Sequence, residues 1–368
     1  MMTQRCVPFG LILVALLLSG CSSLSSLSSL PYLTQAATGQ IALLWAREDI
    51  DSLINHPDTE PALLKALQNV VAVRTFASAE LALPVGKSYS SYVALGRDYA
   101  VWNVFAAPEF SVDPLTYCFP IAGCVAYRGY FEEAAALRAA ALLEKDNVEV
   151  YVAGVSAYST LGWFDDPVTS ALLAQSPDRV AATLFHELAH RAVYAKGDTT
   201  FNESFASVVE DKALERWLEQ QAAAGRLEEA ALQRQRRDAF TQLILAAQTR
   251  FATLYAGSGG RPTPSLDPTL VAELRLGKAQ LQAELRADYA ELKASWQGYS
   301  GYERWFAGPL NNAQLSTVAA YNQLVPQFEC LFEQHGSDLE AFIAEVSVLA
   351  RRGEEASEAL RELAPCVR

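Results

Sequence analysis

The residues with the clearest chemistry are His186, Glu187 and His190, in the run His186-Glu187-Leu188-Ala189-His190. The run sits inside an apolar, helix-compatible stretch. A helix turns every 3.6 residues, so positions four apart share one face. The two imidazoles can then meet at one divalent cation, and the carboxylate beside the first can reach a water on it. Two nitrogen donors, a base and an open coordination position are the equipment of metal-assisted amide hydrolysis. Four histidines occur in the chain, His56, His186, His190 and His335, so half of them fall in this pentapeptide. Leu184, Phe185 and Leu188 surround the pair with core-type side chains, where unliganded histidines would be costly. His56 and His335 read as loop and helix-end residues.

A catalytic zinc ion takes three protein ligands. Glu203, in Phe201-Asn202-Glu203-Ser204-Phe205-Ala206, follows His190 after twelve residues. Gly197 suits the end of the first helix, and Thr199, Thr200 or Asn202 suits the cap of a second. Glu203 then falls in the first turn of that helix, facing back toward the histidines. A competing role is a capping box from Thr200 to Glu203, in which the carboxylate only satisfies a backbone N–H. No third histidine follows at the short spacing of the three-histidine class. The expectation is Zn2+ on His186, His190 and Glu203, with Glu187 as the base. Glu210 and Asp211 lie about two turns further on. Either can orient an imidazole, and either can equally form a salt bridge on a polar face.

Here the chain resembles the gluzincin peptidases, which pair HExxH with a helix-borne glutamate. Asn202-Glu203-Ser204-Phe205-Ala206 is close to the Asn-Glu-Gly-Phe-Ala stretch of zinc aminopeptidases in that clan, with a shorter gap from the second histidine. More broadly the chain resembles the predicted zinc aminopeptidase family of bacterial lipoproteins. The stretches that carry this are Pro120–Phe131, Ala157–Phe164, Leu184–His190 with the Glu203 block, and Leu310-Asn311-Asn312-Ala313. The resemblance implies peptidase chemistry more strongly than it implies exopeptidase specificity.

Such a reaction also needs an oxyanion donor. A tyrosine is expected, from Tyr127, Tyr130, Tyr158, Tyr299, Tyr302 and Tyr321. An aminopeptidase needs in addition a carboxylate for the free α-ammonium. Asp165, Asp166, Glu132 and Glu133 are candidates, although Asp165-Asp166-Pro167 also reads as a turn. Val148 to Ser159 reads as a strand beside the motif helix, able to pair with extended substrate. Gly154 would permit close backbone approach, and Tyr158 is a candidate substrate contact.

The first 20 residues read as a targeting segment. Arg5 supplies the positive region and Leu11–Leu18 a short apolar core, too short to span a membrane. Leu18-Ser19-Gly20-Cys21 reads as a lipoprotein processing box, with acyl chains on Cys21. Ser22, in place of an acidic residue, implies the periplasmic face of the bacterial outer membrane. Residues 21–31 then form the lipidated cysteine and a flexible Ser/Leu tether. Cleavage leaves 348 of the 368 residues and takes the formal charge from −13 to −14. That acidity argues against nucleic acid and against charge-driven membrane binding. Of six cysteines, Cys6 is discarded and Cys21 lipidated. Cys118, Cys124, Cys330 and Cys366 remain, an even number that fits two disulfides in an oxidising compartment, with three connectivities open.

The expected fold is mainly α with a small β component, a gluzincin-like core with a helical C-terminal region. Helical spacing runs from Tyr32 to Asn55, Pro61 to Leu83, Phe131 to Lys145, Pro177 to Lys196 and Glu203 to about Ala223. Gly225 reads as a break before a stretch reaching Tyr255. Further helices are expected over Leu270–Trp296, Asn312–Leu324 and Leu339–Ala350. Tyr99–Phe105 joins Val148–Ser159 as a strand. Residues 32–256 are the expected catalytic part, 257–267 a Gly/Pro loop, and 268–368 a helical part packed on it.

Overall fold

The computed structural model describes residues 30–119, 123–157, 159–160, 164–258 and 263–363. Cys21 with its tether, Tyr158 and Cys366 lie outside the described residues. The protein is mainly helical with a small sheet component, as its composition of apolar periodicities implies.

Helix α1 (Leu30–Trp45) is followed by strand β1 (Glu48–Asp49), helices α2 (Ile50–Ile54) and α3 (Pro61–Glu80), and strand β2 (Ser91–Val93). The strands β3 (Val101–Pro108), β4 (Tyr117–Phe119), β5 (Gly123–Val125) and β6 (Tyr127–Tyr130) come next. Helix α4 (Glu133–Glu144) then leads to strand β7 (Val148–Val155). Three strands form an antiparallel sheet in the order β6-β3-β7, so β7 lies at an edge. Residues alternate faces along a strand. Trp102, Val104, Tyr130 and Val150 accordingly turn toward the alanines of α4, while Phe105, Tyr127 and Tyr151 gather on the opposite face around Ala313.

Strand β8 (Val168–Thr169) and the short helix α5 (Ser170–Leu173) precede the motif helix, α6 (Pro177–Ala192). The Ser176 hydroxyl accepts from Arg179 N, Pro177 occupies the first turn and Asp178 suits the positive helix end. Helix α7 (Thr199–Gln220) packs back against α6. Seven α-helices follow among the described residues: α8 (Ala224–Tyr255), α9 (Pro268–Ala294), α10 (Glu303–Phe306), α11 (Asn312–Asn322), α12 (Val325–Gln334), α13 (Leu339–Ala350) and α14 (Ala356–Leu363).

The larger core joins Phe76 of α3, Phe185 of α6, Phe201 and Phe205 of α7, and Phe328 and Phe342 of α12 and α13. Phe185, Phe201, Phe205, Phe328 and Phe342 are each fully buried. Truncating one such ring to Ala costs roughly 3–5 kcal/mol. The C-terminal helices therefore hold the motif helices in place. A second core unites α8, α9, α10 and α11 through Phe240, Tyr289, Phe306 and Leu315. Buried Lys278 of α9 links this part to the sheet. Its ammonium donates to Glu149 of β7 and to Glu109 O, and Glu149 also accepts from Asn312 N.

Several local expectations shift. Helix α6 stops at Ala192, short of Lys196, because Val193 turns extended at φ −140°. Gly197, at φ +87°, serves the turn beyond, and a Cβ there would collide with Glu354. Asp198 caps α7, in place of Thr199, Thr200 or Asn202. Its carboxylate accepts from Phe201 N at 2.9 Å and from Ser357 N at 2.9 Å. Glu203 thus sits in the second turn, free of a capping box. Gly225 lies inside the first turn of α8 rather than breaking a helix.

Candidate metal centre

Helix α6 presents His186 and His190 one turn apart, their ring centroids separated by 4.9 Å. Helix α7 brings Glu203 to them. Glu203 Oε2 is 3.3 Å from His186 Nε2 and 3.4 Å from His190 Nε2. One side chain spans the connecting turn. Asn202 donates to Ala195 O at 2.8 Å and accepts from Ala195 N at 2.7 Å.

The donor set can be tested for fit to an ion. Bonds of about 2.0–2.1 Å in a tetrahedron imply ligand–ligand edges of about 3.3–3.4 Å. Both histidine-to-glutamate distances match those edges, and they are long for a charged hydrogen bond. The ligand atoms of His186, His190 and Glu203 all lie within 4.8 Å of one another, the one such grouping of His, Cys, Asp or Glu among the described residues. This triad can hold a metal.

Glu210, one level further along α7, bridges two groups. Its Oε2 lies 3.1 Å from His186 Nδ1, and its Oε1 accepts from Arg179 at 2.8 Å. Asp211 does not reach the histidines. It pairs with Arg237 and with Arg234, which corrects its candidacy as an imidazole partner. The cause is helical phase: seven residues from Glu203 return to its face, while eight turn roughly 100° further. His190 Nδ1 is buried without a hydrogen-bond partner.

The electrostatics are those of a buried proton shared among carboxylates. Burial alone would lower the His186 pKa. Its hydrogen bonds to Glu203 and Glu210, with the charges of Glu210 and Glu187, reverse this and raise it to about 10. Burial pushes the Glu203 carboxyl up, but the charge of His190 and the bonds to both imidazoles bring it down to about 2. Glu210 likewise falls to about 2 against burial, through Arg179 and His186. A cation at the centre meets two carboxylates already held ionised.

Glu187 lines the same cleft as the triad. Behind it lie buried Tyr89 and Asp166, whose pKa values are raised by burial and then by the Glu187 charge, that of Asp166 to about 6. The Asp166 carboxylate accepts from Thr160 N and Oγ1 at 3.0 and 2.8 Å. Asp165 is half-buried, its carbonyl accepts from Arg47, and it is absent from the cleft wall among the described residues. That corrects its candidacy as a substrate contact, because the turn spends Asp166 inward on Thr160 and leaves Asp165 outside.

Tyr127 and Tyr321 are the cleft-lining members of the tyrosine candidates among the described residues. Tyr321, from α11, stacks on His186 with centroids 6.2 Å apart and planes 22° apart. Its pKa is raised well above the usual value by burial, then by Glu203, Tyr127 and Glu187, so it stays a neutral O–H donor. Tyr130, Tyr299 and Tyr302 belong to aromatic clusters. Gly154 of β7 lines the cleft, but the close approach it permits is to the Tyr99 ring, where a Cβ would stand 2.4 Å from ring carbons.

The Cys118–Cys124 disulfide ties β4 to β5, and Phe119 and Val125 of that hairpin form part of the cleft rim. Cys330 is also disulfide-bonded. Sequence reasoning missed Arg179, Tyr194 and Asn103. Arg179 anchors Glu210. Tyr194 lines the cleft with its pKa raised to about 12 by burial and by Glu203. Asn103 is 7% exposed and opens on the same cleft from the sheet.

The sequence pattern of one protein family, Aminopep, described as "putative aminopeptidase", matches residues 31–360. The chain belongs to this aminopeptidase family. The match spans the sheet, both motif helices and the C-terminal helices that carry Tyr321 and Phe328, so it supports a peptidase, and hence an enzyme. No curated protein and no solved structure matches the chain.

Proposed function

We propose that the protein is a zinc-dependent peptidase with a gluzincin-like centre that releases N-terminal residues from peptides. The observation that carries the reading is the meeting of His186, His190 and Glu203 in one cleft with Glu187. Zinc bound there would polarise the scissile carbonyl and acidify water. Within the chain, Glu187 accepts the water proton and passes it to the leaving amine. Glu210 holds His186 by its Nδ1. Tyr321 offers its hydroxyl where negative charge develops on the substrate oxygen. The β7 edge, with Gly154 and Val155 in the cleft wall, suits an extended peptide backbone.

One observation favours an endopeptidase acting on longer peptides. Among the described cleft-lining residues the carboxylates are Glu187, Glu203 and Glu210, and each already has a task. None is left to receive a free α-ammonium. The presence of Glu187 argues against an inactive binding module, since a structural zinc closes its fourth position with a protein ligand.

Location belongs to the same reading. No helix among the described residues is long and apolar enough to cross a membrane. Acyl chains on Cys21 would hold the protein at the periplasmic face of the outer membrane.

The test combines metal analysis with a panel of free and N-blocked fluorogenic peptides. Stoichiometric zinc with cleavage of free-amine substrates alone supports the aminopeptidase. Equal cleavage of blocked peptides selects the endopeptidase. Glu187→Gln should keep zinc and lose about 10²–10⁴-fold in rate. Zinc without turnover in the parent chain overturns the hydrolase.

A further inference from the structure

The outer face of α1 is the exposed surface that the peptidase reading leaves unexplained. The helix reads LPYLTQAATGQIALLW and contains no charged residue. One side faces the protein. Gln35 donates to Gly129 O and accepts from Phe131 N, which covers the free edge of β6, while Gly39 lies so close to the Phe131 ring that a Cβ would overlap it. Leu43 is buried.

The opposite side carries Leu33, Ala37, Ile41 and Trp45 at four-residue spacing, one continuous stripe. Leu33 and Ile41 are each 48% exposed and Trp45 is 87% exposed. Arg47, two residues on, donates to Asp165 O, which brings the loop with half-exposed Phe164 to the same end. Thr34 and Thr38 flank the stripe on the exposed side, and no charged residue interrupts it. Among the described residues, Leu33, Ile41 and Trp45 stay exposed along this side.

We infer that this stripe docks on the lipid surface to which Cys21 tethers the chain, an inference that rests on the lipid-anchor reading. Tether length selects the occupant. Eight residues, all Ser or Leu, separate Cys21 from Leu30. A segment of that length reaches at most about 30 Å. The first turn of α1 is thereby confined within roughly a helix length of the acyl chains, so lipid is the apolar partner always at hand. Tryptophan at the far end suits the headgroup layer, where an apolar ring with one polar N–H is most at ease. Charge plays no part in this attraction. The chain is acidic, and Glu48, Asp49 and Asp51 follow the helix directly. The contact is apolar and therefore indifferent to salt.

Docking has a consequence for the cleft. Tyr32 and Ala36, on the inner side of the same helix, line it. A docked α1 sets one wall of the cleft against the membrane.

The experiment uses the full chain, processed in cells and reconstituted into vesicles of phosphatidylethanolamine and phosphatidylglycerol. The vesicles carry either ordinary or brominated acyl chains. Trp45 emission is read as the difference between the parent and Trp45→Phe. The expected result is loss of most of that emission in brominated vesicles, unchanged at high salt. Emission equal in both kinds of vesicle, with the protein floating alongside them, refutes docking while the anchor stands. Absence of an acyl mass on the Cys21 peptide, with no flotation, defeats the anchor and the docking together, and leaves the zinc and peptide assays untouched. Shielding of Trp45 that depends on protein concentration rather than on lipid assigns the stripe to a second copy of the chain and overturns the inference.

Discussion

Glu210→Gln isolates the contribution of the carboxylate behind the metal site. Glu210 touches no metal in this arrangement. It accepts from His186 Nδ1 with one oxygen, at 3.1 Å, and from Arg179 with the other, at 2.8 Å. The amide of glutamine has one oxygen and one NH2, so one of the two donors must then face another donor. Arg179 is 56% exposed and can turn to water, which leaves the amide oxygen to His186, so what His186 loses is the negative charge of its acceptor. A hydrogen bond to a charged acceptor is worth about 1.5–3 kcal/mol. Partners that orient metal-bound histidines are worth about 10–100-fold in affinity, or about 1.4–2.7 kcal/mol, in agreement with that range. Zinc affinity, measured by competition with a chromophoric chelator at fixed pH, should therefore weaken by about 10–100-fold. Secondary structure should be preserved, since α7 keeps its packing. The reasoning is refuted if Glu210→Gln binds zinc as tightly as the parent while Glu203→Gln loses it.

Three further outcomes are expected. Metal-free His186 keeps its proton to a pH of about 10, so zinc must displace it. Calorimetry in buffers of different ionisation enthalpy should show about one proton released per ion near pH 7, and binding without release contradicts the shared proton. Asp166 reverses the usual carboxylate sign. Its folded pKa of about 6 lies above the ordinary value of 3.8, so the folded state holds the proton more tightly and stability falls as pH rises through that window. The cost at pH 8 is about 3 kcal/mol; Asp166→Asn should change Tm more favourably at pH 8 than at pH 5, and an equal effect at both excludes it. Tyr321→Phe should leave zinc content intact and lower kcat by about 10²–10³-fold, whereas an effect on KM alone would make Tyr321 a substrate contact.

What could be read from the sequence was local. The Ser176-Pro177-Asp178 start and the one-turn spacing of His186 and His190 depend on neighbours within four residues. Glu203 was legible as a ligand candidate because α7 follows α6 directly. The choice between Glu210 and Asp211 was also present in the sequence, in the helical phase relative to Glu203. The turn from Val193 to Asp198 was less legible, because it is held by the side chain of Asn202 folding back seven residues and by Ser357 arriving from the far end of the chain. Arg179, Tyr194 and Asn103, and the choice of Tyr321 among the candidate tyrosines, depend on which helix and sheet faces oppose one another, and periodicity within one segment carries no such information. The short helix α12, with Phe328 at the centre of the larger core, was hidden for a related reason. The expected helix Asn312–Leu324 leaves this segment unassigned, and Pro326 sits harmlessly in the first turn of α12.

The clasp between Asn202 and Ala195 bears on how the protein acquires its ion. Both the peptide N–H and the carbonyl of one residue are gripped by a single amide, beneath a wall of phenylalanines. The span between the histidine helix and the glutamate helix is thus set by contacts within the chain that ask nothing of zinc. A zinc finger, by contrast, collapses without its ion. Here the chain can adopt its shape first and be loaded afterwards, and a chelator should return an idle but intact molecule, ready to be recharged.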